Sequence, residues 1–470
     1  MIADLKPYPE YKESGSRWLA EVPDHWEVRN LRTLIRPRTE RNRADLPLLS
    51  VAREKGVFVR SLTDPSENHN VIPEDLSNYK VARGGDLVIN KMKAWQGSMG
   101  IAPCDGIVSP AYYVFDFGIE NAGFGQKLLR SKPYVAHFGQ ASDGVRVGQW
   151  DLSIPGMRLI PVLVPPPAEQ AAIVRFLDHW NGRLEKAIRS KRRVIALLQE
   201  QKQAIIHRAV TRGLDPNVKL KDSGIPWLGD IPVHWEVQRL KRVCRVQGGY
   251  AFPASSFGET GTPVVRMNNL RRGVLDFGNV ARIPETECVQ AFALKTGDIL
   301  YGLSGSIGAT GSLGNYAVVA EHDLPAMLNQ RIARFAPKLD RIDPNFLVQL
   351  IQSSIFYEQV LADTTGTAQF NVSTNDIENV AVGLPPISEQ ASLVLQVNER
   401  VAPLATAITR YENEITLLRE YRTRLTADVV TGKLDIRAAA AQLPDPEPDE
   451  AAVQESAIEE EPLEESPDEF

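Results

Sequence analysis

The sequence predicts a mixed α/β (α+β) fold: two similar domains separated by two long helices that pair as an antiparallel coiled coil, an internal duplication with pseudo-twofold symmetry. Three observations predict it. One segment near the N-terminus recurs 209 residues later, a second recurs without gaps 220 residues later, and each copy of the second carries an amphipathic helical pattern.

The first repeat opens each half. Residues 12–28 hold Trp18-Leu19, Pro23 and His25-Trp26-Glu27-Val28, and residues 221–237 hold Trp227-Leu228, Pro232 and His234-Trp235-Glu236-Val237. Eleven of the twenty positions from 12 to 31 are identical between the copies. The four tryptophans read as core anchors rather than base-stacking platforms. The second repeat closes each half and pairs 149–215 with 369–435, with twenty of 67 positions identical. It contains Pro165-Pro166 and Glu169-Gln170 against Pro385-Pro386 and Glu389-Gln390. Further on, Leu197-Leu198-x-Glu200 answers Leu417-Leu418-x-Glu420, and Val210-Thr211-x-x-Leu214-Asp215 answers Val430-Thr431-x-x-Leu434-Asp435.

Between the repeats the halves diverge. Strand signals fall at 87–90, 112–117 and 159–164, with counterparts at 299–301, 331–335 and 380–384. Gly85-Asp86 and Gly297-Asp298 precede corresponding strands. A helix is expected at 126–138 and at 345–362. After each proline cluster the pattern turns helical, with apolar residues at Ile173, Leu177, Trp180, Leu184, Ala187, Val194, Leu198 and Ile205. The second copy has Leu393, Val397, Leu404, Ile408, Tyr411, Ile415, Leu418, Leu425 and Val429. Glu169 and Glu389 sit in the first turns, where carboxylates suit the helix dipole.

Asn181-Gly182 and Ala402-Pro403 predict a break in each helix, because proline removes a hydrogen bond and clashes with the preceding turn. The expected long helices are then 183–211 and 404–431, about 43 Å each at the α-helical rise. Pairing them with each other buries both seams. The domain plan is 1–164, a spacer at 165–213, a second domain at 214–384, a spacer at 385–435, and a tail at 436–470.

Composition bounds the function. The net charge is −6, but the twelve acidic residues of 438–470, which has no Lys or Arg, leave +6 on the rest. The tail's composition predicts disorder; the remainder is mildly basic, which suits nucleic acid. No apolar run approaches the ~20 residues of a membrane span, and residues 1–12 lack a signal-peptide core, so the expected location is cytoplasmic. Cys104, Cys244 and Cys288 are scattered, as are the seven histidines. Neither a disulfide framework nor a metal site is expected, and no catalytic residue is assigned.

Several stretches have DNA-binding chemistry. Lys91, Lys93, Gln96 and Ser98 surround a glycine turn; lysine meets phosphate or guanine, and glutamine can pair bidentately with adenine. Arg146 and Gln149 lie just before Ser153, which the second half repeats as Ser373. In the second half, Arg266, Asn268, Asn269, Arg271 and Arg272 offer the same chemistry. Residues 302–311 carry glycine every third position, as a loop open to close backbone approach.

The duplicated motifs resemble the specificity subunits of type I restriction–modification enzymes. The likeness rests on Trp-Leu-x-x-x-Pro-x-His-Trp-x-Val, on Pro-Pro-x-x-Glu-Gln and on Leu-Leu followed by Val-Thr-x-x-Leu-Asp, each present twice. It covers 9–437. The resemblance implies two target-recognition domains that read a bipartite double-stranded DNA sequence in a complex that methylates adenine or cleaves. It implies two methyltransferase subunits along the helices, where Glu169, Gln170, Leu198, Glu389, Gln390 and Leu418 are candidate contacts, and two ATP-driven restriction subunits. This chain would hold no cofactor; S-adenosylmethionine, ATP and magnesium would belong to the partners. The helices would act as a ruler, since two readers on one face of a duplex lie about one turn, ~34–36 Å, apart. Two other classes compete. A fused methyltransferase–nuclease would need an Asn/Asp-Pro-Pro-Tyr/Phe motif, absent here, and a nuclease carboxylate–lysine cluster; Gly432-Lys433 lacks the upstream glycine of a P-loop. A coiled-coil scaffold without DNA affinity would show no salt-sensitive DNA binding.

Overall fold

The computed structural model describes residues 5–61, 75–144, 150–271, 273–307, 311–362 and 370–444. It divides into two compact units. The first comprises residues 1–191 and 413–470, the second residues 192–412. The division therefore falls inside both long helices, and the two chain ends share one unit.

In the first unit the opening repeat folds as a hairpin, Tyr11–Glu13 against Glu21–Pro23, with Lys12 opposite Val22. The next strand, Glu27–Asn30, pairs antiparallel with Pro161–Val164, so the divergent middle leaves and returns through one two-stranded clamp. Inside the clamp lies an antiparallel four-stranded sheet in the order Ile35–Pro37, Tyr112–Phe117, Leu87–Asn90, Met99–Ile101. In its inner strand Leu87–Asn90 the first three residues are buried, as in a strand covered on both faces. One face carries the main core, with Trp26, Phe124, Tyr134, Phe138 and Phe176 all fully buried. The other face packs on a smaller cluster around Leu49, Val57 and Val108.

The second unit repeats this plan. Its hairpin is Leu220–Asp222 with Asp230–Pro232, and its clamp is Glu236–Arg239 with Ala381–Leu384. Its sheet order is Cys244–Gly248, Ile332–Pro337, Ile299–Gly302, Tyr316–Val318. The middles, dissimilar in sequence, thus share a topology. The sequence matched strand 87–90 with 299–301 and 112–117 with 331–335; periodicity does not show which strands pair, so the shared order was not legible. Gly85 and Gly297 adopt φ of +94° and +86°, which lets Asp86 and Asp298 turn back to accept the backbone N–H of Arg83 and Lys295. An arginine, Arg38 just past the strand Ile35–Pro37 or Arg334 within Ile332–Pro337, pairs with each carboxylate.

Four expectations are corrected. The single helices expected at 126–138 and 345–362 are each two helices, Ala122–Leu129 with Lys132–Gln140 and Pro344–Ile351 with Ser354–Ala362. The breaks centre on Ser131 and Ser353, buried hydroxyls that donate to Leu128 O at 2.7 Å and Leu350 O at 2.6 Å. Serine competes with the helical ladder for backbone carbonyls, which ends the turn. Conversely, the long helices are unbroken, Pro167–Arg212 with 46 residues and Ile387–Val430 with 44 and Pro403 inside it. At ~1.5 Å per residue the first is about 69 Å long, well beyond the expected 43 Å. A glycine costs ~1 kcal/mol and a proline ~3 kcal/mol in a helix. The buried residues on either side, Leu177 and Ile188 around Gly182 and Val397 and Ile415 around Pro403, offset those costs. Third, the tail does not begin at 436. Arg437–Ala441 is helical, and Ile436, Ala440 and Leu443 lie in the first unit's core at 0%, 3% and 7% exposure. The acidic residues themselves fall in 445–470, outside the described residues. Fourth, Trp227 is 52% exposed; Trp26 and Trp235 are the core anchors, and Trp18 packs on Tyr134 and His137.

Within the first unit the long helices run antiparallel. Glu185 pairs with Arg422 at 2.8 Å and Lys191 with Glu414 at 2.5 Å, so ascending one helix descends the other.

Candidate nucleic-acid interface

In the first unit the loop joining Leu87–Asn90 to Met99–Ile101 is a tight turn. The Asn90 carboxamide accepts the Met92 N–H, and the chain closes at Gly97, φ +89°. This loop is joined by a hairpin sixty residues away, Ser142–Asp143 with Asp151–Leu152. Leu152 N donates to Lys91 O at 2.9 Å, Lys91 Nζ pairs with Asp151 at 3.1 Å, and the Trp95 and Trp150 rings lie 5.1 Å apart. Lys93 is exposed and Gln96 half-buried. Ser98 is buried, so its hydroxyl does not face outward as the sequence suggested. Arg146 and Gln149 lie outside the described residues.

Further cations collect at this end of the sheet. Arg41 bridges to Lys80, whose ammonium donates to Tyr112 O at 2.6 Å. Burial first, then repulsion from Arg41 and Lys91, pushes the Lys80 ammonium below the usual lysine range. That repulsion means a concentration of positive charge, which a polyanion would relieve.

The strand order identifies the counterpart in the second unit, the segments 303–307 and 311–315. Val372 N donates to Leu303 O at 2.8 Å, as Leu152 does to Lys91. Ser304–Gly305 pairs with Phe370–Asn371, and Asn371 matches Asp151 at the 220-residue offset. In place of the Lys91–Asp151 ion pair, Arg331 Nη1 donates to Asn371 Oδ1 at 3.2 Å. Gly305, φ +140°, lies where a Cβ would come 1.9 Å from Ser312 Oγ, so its close approach is within the loop itself. Tyr250, 39% exposed, stands on Phe252 and Phe292 next to Gln330, whose N–H donates to Tyr250 O. Tyr250, Gln330, Arg331 and Asn371 were missed. Only the alignment of Asn371 with Asp151 signalled one of them.

The predicted segment around Arg266 lies along the sheet edge. Gly273 exchanges backbone hydrogen bonds with Tyr316 and Val318. Asn269 is 1% exposed; its Oδ1 accepts Arg266 N and its Nδ2 donates to Asp276 O and Asn279 O. Its amide groups are spent holding a turn. Asn268 and Arg271 are exposed, the latter 3.6 Å from Asp276, and Arg266 lies over the Phe257 ring. Arg272 is outside the described residues.

The duplicated motifs meet elsewhere. Glu169 accepts Trp26 Nε1 at 3.0 Å and the Tyr8 hydroxyl at 2.6 Å on one oxygen, and faces His25 Nε2 at 2.7 Å on the other. Burial and this hydrogen bond hold the Tyr8 hydroxyl protonated far above its usual range. Glu389 accepts Trp235 Nε1 at 3.1 Å and faces His234 at 2.8 Å. Gln170 bridges Pro165 O and Asn121 N, and Gln390 bridges Pro385 O, Arg341 O and Asp343 N. Glu169, Gln170 and Gln390 are buried, and all four side chains lock each helix start onto its own unit. Leu198 and Leu418 are half-buried, whereas their neighbours Leu197 and Leu417 are 58% and 62% exposed. Gly432, φ +76°, ends the second long helix against Pro23 and Trp26, a helix stop rather than a phosphate loop.

Among the described residues no group of three or more His, Cys, Asp or Glu could hold a metal ion, and no helix is long and apolar enough to cross a membrane. Cys244 is buried, its thiol pushed up to about 12 by burial.

Residues 232–394 match the type I restriction modification DNA specificity domain. The chain is 28% identical over 280 residues to the type I restriction enzyme MjaVIII specificity subunit of Methanocaldococcus jannaschii, covering 59% of this chain and 63% of that one. It is 26% identical over 206 residues to the EcoAI specificity subunit of Escherichia coli, covering 43% and 34%. It thus spans less than two thirds of either. With the EcoKI specificity subunit of Escherichia coli strain K12 it shares 22% identity over 78% of this chain and 76% of that one. A solved structure described as "Structural basis underlying complex assembly and conformational transition of the type I R-M system" shares the fold, with a TM-score of 0.62 and 17% identity, covering 88% of this chain and 99% of that one. The chain is thus similar to type I restriction enzyme specificity subunits, and its residues 232–394 match their DNA specificity domain.

Proposed function

We propose that this chain is the DNA-reading, non-catalytic subunit of a type I restriction–modification complex, each unit reading one half of a bipartite target. The observation that carries this reading is the pair of loops at equivalent ends of two equivalent sheets, 91–98 in one and 303–307 with 311–315 in the other. Each is tied by the same backbone bond to the following segment, yet each is furnished with different side chains. Equal scaffolds with unequal tips suit two readers of different sequences. The cations Arg41, Lys80, Lys91 and Lys93 in one unit and Arg331 in the other suit phosphate and base contacts. Two methyltransferase subunits and two restriction subunits complete the complex, and S-adenosylmethionine, ATP and magnesium are theirs. The isolated chain neither methylates nor cleaves, and the long helices fix the gap between the half-sites.

Exchanging residues 32–148 for the middle of a relative, followed by methylome sequencing of the host, tests the reading. One half of the methylated sequence should change and the other persist. A change in both halves, or methylation by the pure chain without partners, would refute it.

A further inference from the structure

The two units treat the same carboxylate differently. In the first, Glu169 is 6% exposed and saturated by Trp26, His25 and Tyr8. Tyr8 also packs edge-on to Trp26, with the Arg437 guanidinium over its ring. Ile436, Ala440 and Leu443 cover the neighbouring core.

In the second unit the 209-residue offset puts Asn217 where Tyr8 stands. Asn217 is exposed, its backbone N–H bonded to Asp215 Oδ1 at 2.8 Å. The chain runs from there straight into the strand Leu220–Asp222, so no covering helix follows Asp215. Glu389 is 31% exposed, and its described side-chain partners are Trp235 and His234. A cleft of about 160 Å³ opens beside it, with Arg212, Leu214, Asp215, Pro232, Leu393 and Gln396 among its lining residues. Through the repeat offsets Pro232, Leu214 and Leu393 stand for Pro23, Leu434 and Ile173, all beside the Tyr8 site, while Gln396 replaces the buried Phe176.

We propose that this cleft is a docking site for a tyrosine side chain presented by a partner polypeptide, its hydroxyl donating to Glu389 as Tyr8 donates to Glu169. The first unit displays the occupant's chemistry. An aromatic ring meets the indole edge and the apolar wall, and one hydroxyl meets a carboxylate oxygen that already holds an indole N–H. Aliphatic side chains and carboxylates bring no hydroxyl donor to that oxygen. This assignment is independent of how the loops read DNA.

The test uses the full chain with 15N-labelled tryptophan and the peptide Lys-Pro-Tyr-Pro-Glu-Tyr, the sequence of residues 6–11. The Trp235 indole N–H, bonded to Glu389, is the reporter. The peptide should shift it saturably and leave the Trp26 indole unmoved. Replacing the peptide's first tyrosine by phenylalanine should weaken binding about tenfold, the loss of one hydrogen bond to a charged acceptor. Gln396→Trp, which fills the cleft, should abolish the shift while the Trp26 indole keeps its position. No Trp235 shift at the peptide's solubility limit, equal binding of the phenylalanine peptide, or binding that survives Gln396→Trp overturns the proposal. So does a Trp235 shift driven by protein concentration alone, which would place a second copy of this chain in the cleft.

Discussion

Removing the carboxylate that locks each long helix to its unit should cost the two units unequally. Glu169→Ala strands two buried donors, the Trp26 indole N–H at 0% exposure and the Tyr8 hydroxyl at 3%; each buried unsatisfied group costs ~1–3 kcal/mol. The expected loss is about 4 kcal/mol in the first unit. Glu389→Ala strands one buried donor, the Trp235 indole at 0% exposure, because His234, 49% exposed, turns to water. The expected loss there is about 2 kcal/mol by the same scale. Hydrogen exchange read by mass spectrometry on peptides spanning 19–31 and 228–240 reports the opening free energy of each unit separately. Glu169→Gln, which retains an acceptor for both donors, should recover more than half of the loss. An alanine effect at Glu389 equal to or larger than that at Glu169 would refute the reasoning, since it would mean that the Tyr8 hydrogen bond adds nothing.

Three further outcomes follow from the geometry. Truncation after Asp435 removes Ile436, Ala440 and Leu443 from the first core, about 4 kcal/mol at ~1.5–3 kcal/mol per large buried side chain. It should therefore lower the thermal midpoint of the chain, whereas truncation after Pro444 should not. Leu417→Asp and Leu197→Asp place charge on leucines already exposed to water, so folding measured by circular dichroism should be kept while co-purification with a methyltransferase subunit is lost; Leu418→Asp should instead unfold the helix seam. Lys93→Ala removes an exposed cation beside the reading loop. It should weaken binding to all DNA sequences alike and lower the salt slope by about one, measured by fluorescence anisotropy across a salt series.

Much of this protein was legible in the sequence because the duplication preserves what packing demands. Trp26 and Trp235 recur with Glu169 and Glu389 because each pair is hydrogen-bonded, and Gln170 and Gln390 recur because each ties the helix start to backbone of its own unit. Identity at those positions therefore marks contact as much as function. The helical seams were legible because burial of one face imposes a 3.6-residue period. What the sequence could not decide was anything set by balance between local and tertiary terms. Pro403 and Gly182 break a helix in isolation but not one with buried faces on both sides. Ser131 and Ser353, unremarkable as letters, end helices because their buried hydroxyls capture the backbone carbonyls of Leu128 and Leu350. Asn269 has the chemistry of a base-reading side chain, and only its three backbone partners reveal that it holds a turn. The strands before the two candidate loops could be matched through Gly85-Asp86 and Gly297-Asp298, but which strands flank them lies in pairing order, which leaves no periodic trace once the side chains have diverged. For the same reason the open cleft at Glu389 could not be read beforehand. It arises from Asn217 standing where the other unit has a tyrosine, and a missing side chain acquires meaning only once its surroundings are folded.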